Sequence, residues 1–248
     1  MEQNQTPPGN NPGTPQGPLY ADVRDNDFRG KAVMLVFWIL FAVAAIGFVI
    51  YLYTTVAVME NDYFPDTDAT AYASLAIQFH GIVNLVILIL TMVFFIMWFR
   101  RAYYNLHAIN YRTLRYTEGW AAGAWFIPFL NLAWPYQIMS DIWHATQHAV
   151  QVKTGIVRPI QSASIVGWWW GIYLANNFTA NILSRLDPEQ MVPGQAFIGF
   201  PLEFLSIFLT IQMIRQARVF EAEFYREFNP LAGISPYVVN HAGQQGNT

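Results

Sequence analysis

"GWAAGAWFIPFLNLAWPYQ", Gly119 to Gln137, carries no charge and is rich in aromatic side chains, yet Pro128, Asn131 and Pro135 interrupt it. Such a stretch can cross a bilayer, lie on it, or dip in and return. Each reading gives a different architecture, and the rest of the chain decides between crossing and not crossing.

Of the 248 residues 54% are hydrophobic and only 12% are charged, whereas a soluble domain carries roughly a quarter charged residues. The chain therefore reads as a membrane protein. Its 9 Trp, 13 Tyr and 19 Phe suit anchoring at bilayer interfaces. With no cysteine it has no disulfide, thiolate nucleophile or thiolate metal site. The net charge of -3 gives no sign of nucleic-acid binding, and the Lys and Arg residues flank apolar runs, where they report orientation.

Four segments have the roughly 20 apolar residues that a hydrocarbon core of about 30 Å demands: 33–54, 73–99, 163–183 and 196–214. If 119–137 does not cross, every one of the 13 Lys and Arg residues except Arg185 falls on one side. If it crosses, Lys153, Arg158, Arg215, Arg218 and Arg226 move to the other side and the asymmetry collapses. The positive-inside bias thus predicts an all-α integral membrane protein with four transmembrane helices, in a bacterial cytoplasmic membrane with both termini cytoplasmic. The acidic loop with Glu60, Asp62, Asp66 and Asp68 then faces outward. The segment 119–137 becomes either re-entrant, packed against the spans that satisfy its backbone, or interfacial. Gly119 and Gly123, one turn apart, suggest a close approach between helices.

Residues 1–30, rich in Pro, Gly, Asn and Gln, read as a disordered cytoplasmic tail without a cleaved signal peptide. Residues 229–248, opening on Asn229-Pro230, read as a second tail. The polytopic domain is then 31–228. Pro135 suits the first turn of a helix, and Ile138, Ile142, Ala145 and Ala149 make an apolar stripe over 136–152, an amphipathic cytoplasmic helix. The second and fourth spans continue past the bilayer, where Arg112 and Arg115 are expected near Glu221, Glu223 or Glu227.

"WFRRAYYNL" followed by "GWAAGAWFIPFLNLAWPYQIMSDIW" closely resembles the core motif of a bacterial multi-pass membrane family catalogued as domain of unknown function 4328. Gly119-Trp120, Phe126-Ile127-Pro128, Asn131-Leu132 and Pro135-Tyr136-Gln137 carry the resemblance. Ala133 and Trp134 stand near the Trp-Pro step where the family pattern has a basic residue, so no phosphate contact is implied there. The resemblance implies a membrane protein and supplies no activity or catalytic residue.

Polar side chains at membrane depth are functional candidates by default. His80, Asn84, Asn176, Asn177 and Glu203 fall in the outer half of three spans, where they form either a small-solute or proton site or hydrogen-bonding glue between helices. Asp141, His144 and His148 share one helix face at i, i+3 and i+7, a spacing that can present two imidazoles and a carboxylate to one metal ion or simply a solvated surface. Gly167, Gly171 and Ala175 form a small-residue stripe for packing within the chain or between copies. Asn177-Phe178-Thr179 matches a glycosylation acceptor but lies inside a span. No nucleotide loop or nucleophile elbow is present, and no cofactor is implied. Two functions remain: a non-enzymatic membrane scaffold or partner subunit, and a small-solute or ion permeation protein using the polar cluster.

Overall fold

The computed structural model describes residues 22–61, 67–186 and 194–229. The acidic loop expected to face outward, most of the N-terminal tail and the C-terminal tail lie largely outside them. Helices α1 (Asp27–Asn61), α2 (Thr67–Ala108), the short turn α3 (Trp120–Gly123), α4 (Trp134–Thr154), α5 (Ser164–Leu183) and α6 (Phe200–Phe228) follow in order. A 3₁₀ turn at Leu130–Leu132 precedes α4 and a π turn at Gln195–Gly199 precedes α6. There is no strand among the described residues.

Three of these helices are long and apolar enough to cross a membrane: Asp27–Thr55, Ala71–Ala108 and Gln195–Phe228. At 1.5 Å per residue, the 42 residues of α2 run about 60 Å, roughly twice the hydrocarbon thickness. Its end must project, as the sequence predicts. Large apolar side chains point away from the protein all along these helices, Phe79 at 71% exposure among them, which suits a surface solvated by lipid. The expected third span, 163–183, becomes α5. It falls short of the hydropathy of the other three because Trp168, Trp169 and Trp170 are followed by Asn176, Asn177 and Asn181.

α1 packs antiparallel to α2. Gly47 makes the approach possible, since a Cβ there would stand 2.6 Å from the His80 ring. α6 runs antiparallel to α1, with Phe204 against Phe41 and Phe200 against Phe48 at one end and Arg218 against Gly30 at the other. The π turn ends two residues before Pro201. Proline lacks an N–H and its ring collides with the carbonyl four residues back, so widening one turn relieves both demands.

The arginine-bearing ends of α1, α2 and α6 are tied together by Glu221. One carboxylate oxygen accepts from Asn26 Nδ2 and the other from Trp98 Nε1, both at 2.8 Å. Asn105 exchanges two hydrogen bonds with the Arg24 backbone, at 3.0 and 2.8 Å, so residues 22–26 are docked on α2. Arg218 and Lys31 both reach Asp27, at 2.7 and 2.6 Å. The ion pairs expected from Arg112 and Arg115 differ: Arg115 turns to Asp141 on α4 at 3.4 Å, while Arg158 takes Glu223 at 3.1 Å.

α4 buries Ile138, Ile142, Ala145 and Ala149, the predicted stripe, together with Trp143, whose ring meets Phe220 edge-on at 4.9 Å. Gly155 at φ 70° ends it, with its N–H on the Gln151 carbonyl, a left-handed position that glycine occupies without strain.

Candidate functional site

Residues 119–137 leave and return at one place. The Trp134 ring stacks on Tyr116 with centroids 4.2 Å apart and meets Trp120 at 4.8 Å, and the Tyr116 hydroxyl donates to Gln137. Between these ends Trp125 inserts among Phe95 and Phe99 of α2 and Trp170 and Tyr173 of α5. Trp170 Nε1 donates to the Leu132 carbonyl at 3.0 Å, satisfying a backbone acceptor that the broken helix leaves free. Pro128 and its neighbours Phe126, Ile127 and Phe129 face away from the protein. Pro135 lies buried in the first turn of α4, with Tyr136 half-buried beside it. The expected role of the two glycines is not realised: Gly119 meets nothing, and a Cβ on Gly123 would touch only the Trp120 ring of its own turn.

The hairpin ends at a cavity of about 340 Å³ between α1, α2, α5 and α6. Asn176 and Asn177 enter it from α5, Glu203, Ser206 and Thr210 from α6, Thr91 from α2, and Asn131 from the 3₁₀ turn. Most of its wall is apolar, with Phe37, Leu40, Leu88, Phe95 and Trp169 among the lining residues. Thr91 and Thr210 donate back to their own helices, to Ile87 and Ser206 at 2.7 Å, which leaves their oxygens as acceptors. Asn177 likewise donates to the Tyr173 carbonyl at 2.7 Å. Two polar atoms of lining residues, Asn131 Oδ1 and Trp125 Nε1, are buried behind the cavity wall with no partner among the described residues. A volume within the usual range of ligand pockets, few but convergent polar groups and unspent hydrogen-bonding capacity together suit a small polar solute.

Of the predicted polar cluster, Asn176, Asn177 and Glu203 line the cavity, whereas His80 and Asn84 do not, although His80 lies near enough to Glu203 for their charges to interact. His80 Nε2 lies 3.0 Å from the Val43 carbonyl, a bond that joins α1 to α2, and Asn84 Oδ1 is buried without a partner. No ion pair joins His80 to Glu203 among the described residues. Sequence reasoning missed Ser206 and Thr210, although with Glu203 they repeat at i, i+3 and i+7 on one face. Asn131 was read as part of the broken segment, and its place on the cavity depends on a hairpin that no local periodicity encodes.

Asp141, His144 and His148 do not converge, and the described residues hold no group of three metal-ligating side chains. Asp141 accepts from the Arg115 backbone N–H, His144 turns back to the Ser140 carbonyl at 2.9 Å, and His148 meets the Tyr111 hydroxyl at 2.9 Å. Burial pushes the Asp141 carboxyl up, against the Arg115 N–H and guanidinium that hold it down. The stripe of Gly167, Gly171 and Ala175 is not filled by the described residues, since a Cβ added to either glycine would meet no neighbouring side chain or helix within 4 Å.

A family model described as "Domain of unknown function (DUF4328)" matches residues 61–217, more than half of the chain. It takes in the hairpin, the cavity-lining residues of α2, α5 and α6, and α4. Neither a curated protein nor a solved structure matches.

Proposed function

The chain belongs to the DUF4328 family of domains of unknown function, and we propose that it acts as a non-enzymatic membrane scaffold or partner subunit. In this reading α1, α2, α5 and α6 span the bilayer, 119–137 re-enters without crossing, and both termini are cytoplasmic. The adjacency of Tyr116 and Trp134 supports the re-entrant hairpin, and so does the aromatic packing that carries Trp125 inward past Arg100 to Phe95. α5 has no charged residue in its 20 positions and covers about 30 Å. The arginines other than Arg185 then share the cytoplasmic side.

One observation carries the scaffold reading. In this reading the end of α4 and the cytoplasmic segment that follows it leave Val152, Ile156, Val157 and Ile160 exposed, Val157 at 90%, alongside Lys153 and Arg158. An apolar strip outside the bilayer with a charged rim has the character of a protein contact. A photoreactive side chain at Val157 is expected to crosslink, in native membranes, to one partner at fixed stoichiometry, and Val157→Asp to weaken that association. Crosslinks confined to copies of this chain contradict the reading.

The cavity supports a second reading, permeation of a small polar solute or ion past Glu203, because Asn131, Asn176, Asn177 and Glu203 bring polar side chains to one wall. Glu203→Gln is then expected to abolish flux into liposomes while leaving the protein folded and inserted. Flux unchanged by that substitution leaves the carboxyl as part of the helix packing.

A further inference from the structure

Arg24, Arg29, Arg100 and Arg101 converge on one concavity of about 470 Å³ at the junction of α1 and α2, which Met97, Tyr104 and Glu118 complete. Arg24 is paired with Asp22 and Arg100 with Glu118 at 3.2 Å. Arg29 and Arg101 have no ion pair among the described residues; Arg101 lies over the Tyr104 ring at 5.6 Å. Like charges lining a shared hollow repel one another, and an anion seated among them reverses the sign of that interaction.

The surface that leads away from the concavity identifies the anion's source. Val86, Leu90, Val93 and Met97 repeat along one face of α2 at i, i+4, i+7 and i+11, and all are exposed. Met97 is also part of the pocket lining. This apolar track starts at the arginines and descends into the most hydrophobic part of the helix. On α1, Phe28 stands beside Arg29 at 79% exposure, an aromatic at the level where headgroups meet acyl chains.

We propose that the concavity binds the phosphate of an anionic phospholipid, with an acyl chain lying along Val93, Leu90 and Val86. Guanidinium groups present paired N–H donors that match phosphate oxygens, and basic pockets between membrane helices hold anionic headgroups in this way. A zwitterionic headgroup brings its own cation among the four arginines and is disfavoured. A free phosphate makes the same polar contacts but leaves the apolar track empty. The site is separate from the cavity and from the strip around Val157, so it stands apart from the scaffold reading.

The test uses the full chain purified in detergent, with bound lipid counted by native mass spectrometry and stability followed by thermal unfolding. Phosphatidylglycerol is expected to bind and raise the unfolding temperature, whereas phosphatidylcholine is not. Replacing both unpaired arginines, Arg29→Gln with Arg101→Gln, is expected to weaken phosphatidylglycerol binding roughly 30-fold, about fivefold for each charge. Arg29→Gln alone guards against a folding defect at Arg101 and is expected to show the fivefold part. Arg185→Gln, beyond the far end of α5, serves as a control and leaves binding unchanged. Equal binding by the double variant overturns the proposal, as does equal protection by phosphatidylcholine. Protection by glycerol phosphate or inorganic phosphate at the same concentrations overturns the lipid assignment.

Discussion

At Gly47 a missing side chain sets the distance between two helices. The His80 ring occupies the space where a Cβ would stand and reaches the Val43 carbonyl. Gly47→Val is expected to push His80 off that carbonyl and cost about 1–3 kcal/mol by overpacking, read as a lower unfolding temperature in detergent. Glu221 is a second such residue, since Asn26 and Trp98 each donate to one of its oxygens. Glu221→Gln sets a donor against a donor and is expected to cost about 1–3 kcal/mol, with a change in tryptophan fluorescence from Trp98. Asp141 gives a pH signature. Burial raises its carboxyl above the ordinary value of 3.8 despite Arg115 and the neighbouring His144, so the folded state binds that proton more tightly than the unfolded one. Its contribution to stability is therefore greatest at low pH and declines as pH rises from near 3.8 through the raised folded value. Asp141→Asn is expected to flatten that decline in a series of unfolding measurements, and an unchanged pH profile contradicts the assignment.

Among the elements, the long apolar helices were readable from composition and length. Their polar ends were readable only in part. The pattern of Ile138, Ile142, Ala145 and Ala149 announced α4 because a 3.6-residue period survives wherever one face meets a core and the other meets water. No such period marks α1 or α2, whose surroundings are apolar on every side, so their partners and registers could not be read. Three tryptophans and three asparagines lowered the hydropathy of α5, yet Trp170 is buried against the hairpin, Trp169 is buried against Phe95 of α2, and Asn176 and Asn177 reach the cavity. The same residues that weaken the membrane signal therefore build the site. Arg115 paired with Asp141 rather than a glutamate of α6 because the return of the hairpin, a tertiary event, brings α4 between them. Trp125 is the pin of that hairpin. Trp125→Ala is expected to cost about 3–5 kcal/mol and to expose residues 119–137 to proteolysis, and an unaffected hairpin contradicts this packing.

Across the whole molecule, contacts among the described residues gather most of the arginines at one end: Arg24, Arg29, Arg100 and Arg101 around one hollow, Arg115 against Asp141 of α4, Arg158 and Arg218 on or near α6. Arg185 follows α5 at the other end. In the proposed topology the arginine-rich end is the cytoplasmic one, and a non-crossing hairpin is what allows it. Because the chain has no cysteine, single cysteines report sidedness without background. Thr154→Cys, at the end of α4, and Ser184→Cys, just past α5, should be probed with a membrane-impermeant maleimide in intact cells and again after lysis. A non-crossing hairpin predicts that Ser184→Cys is labelled in intact cells and Thr154→Cys only after lysis. Labelling of Thr154→Cys in intact cells, with Ser184→Cys protected, contradicts the account by making 119–137 a span.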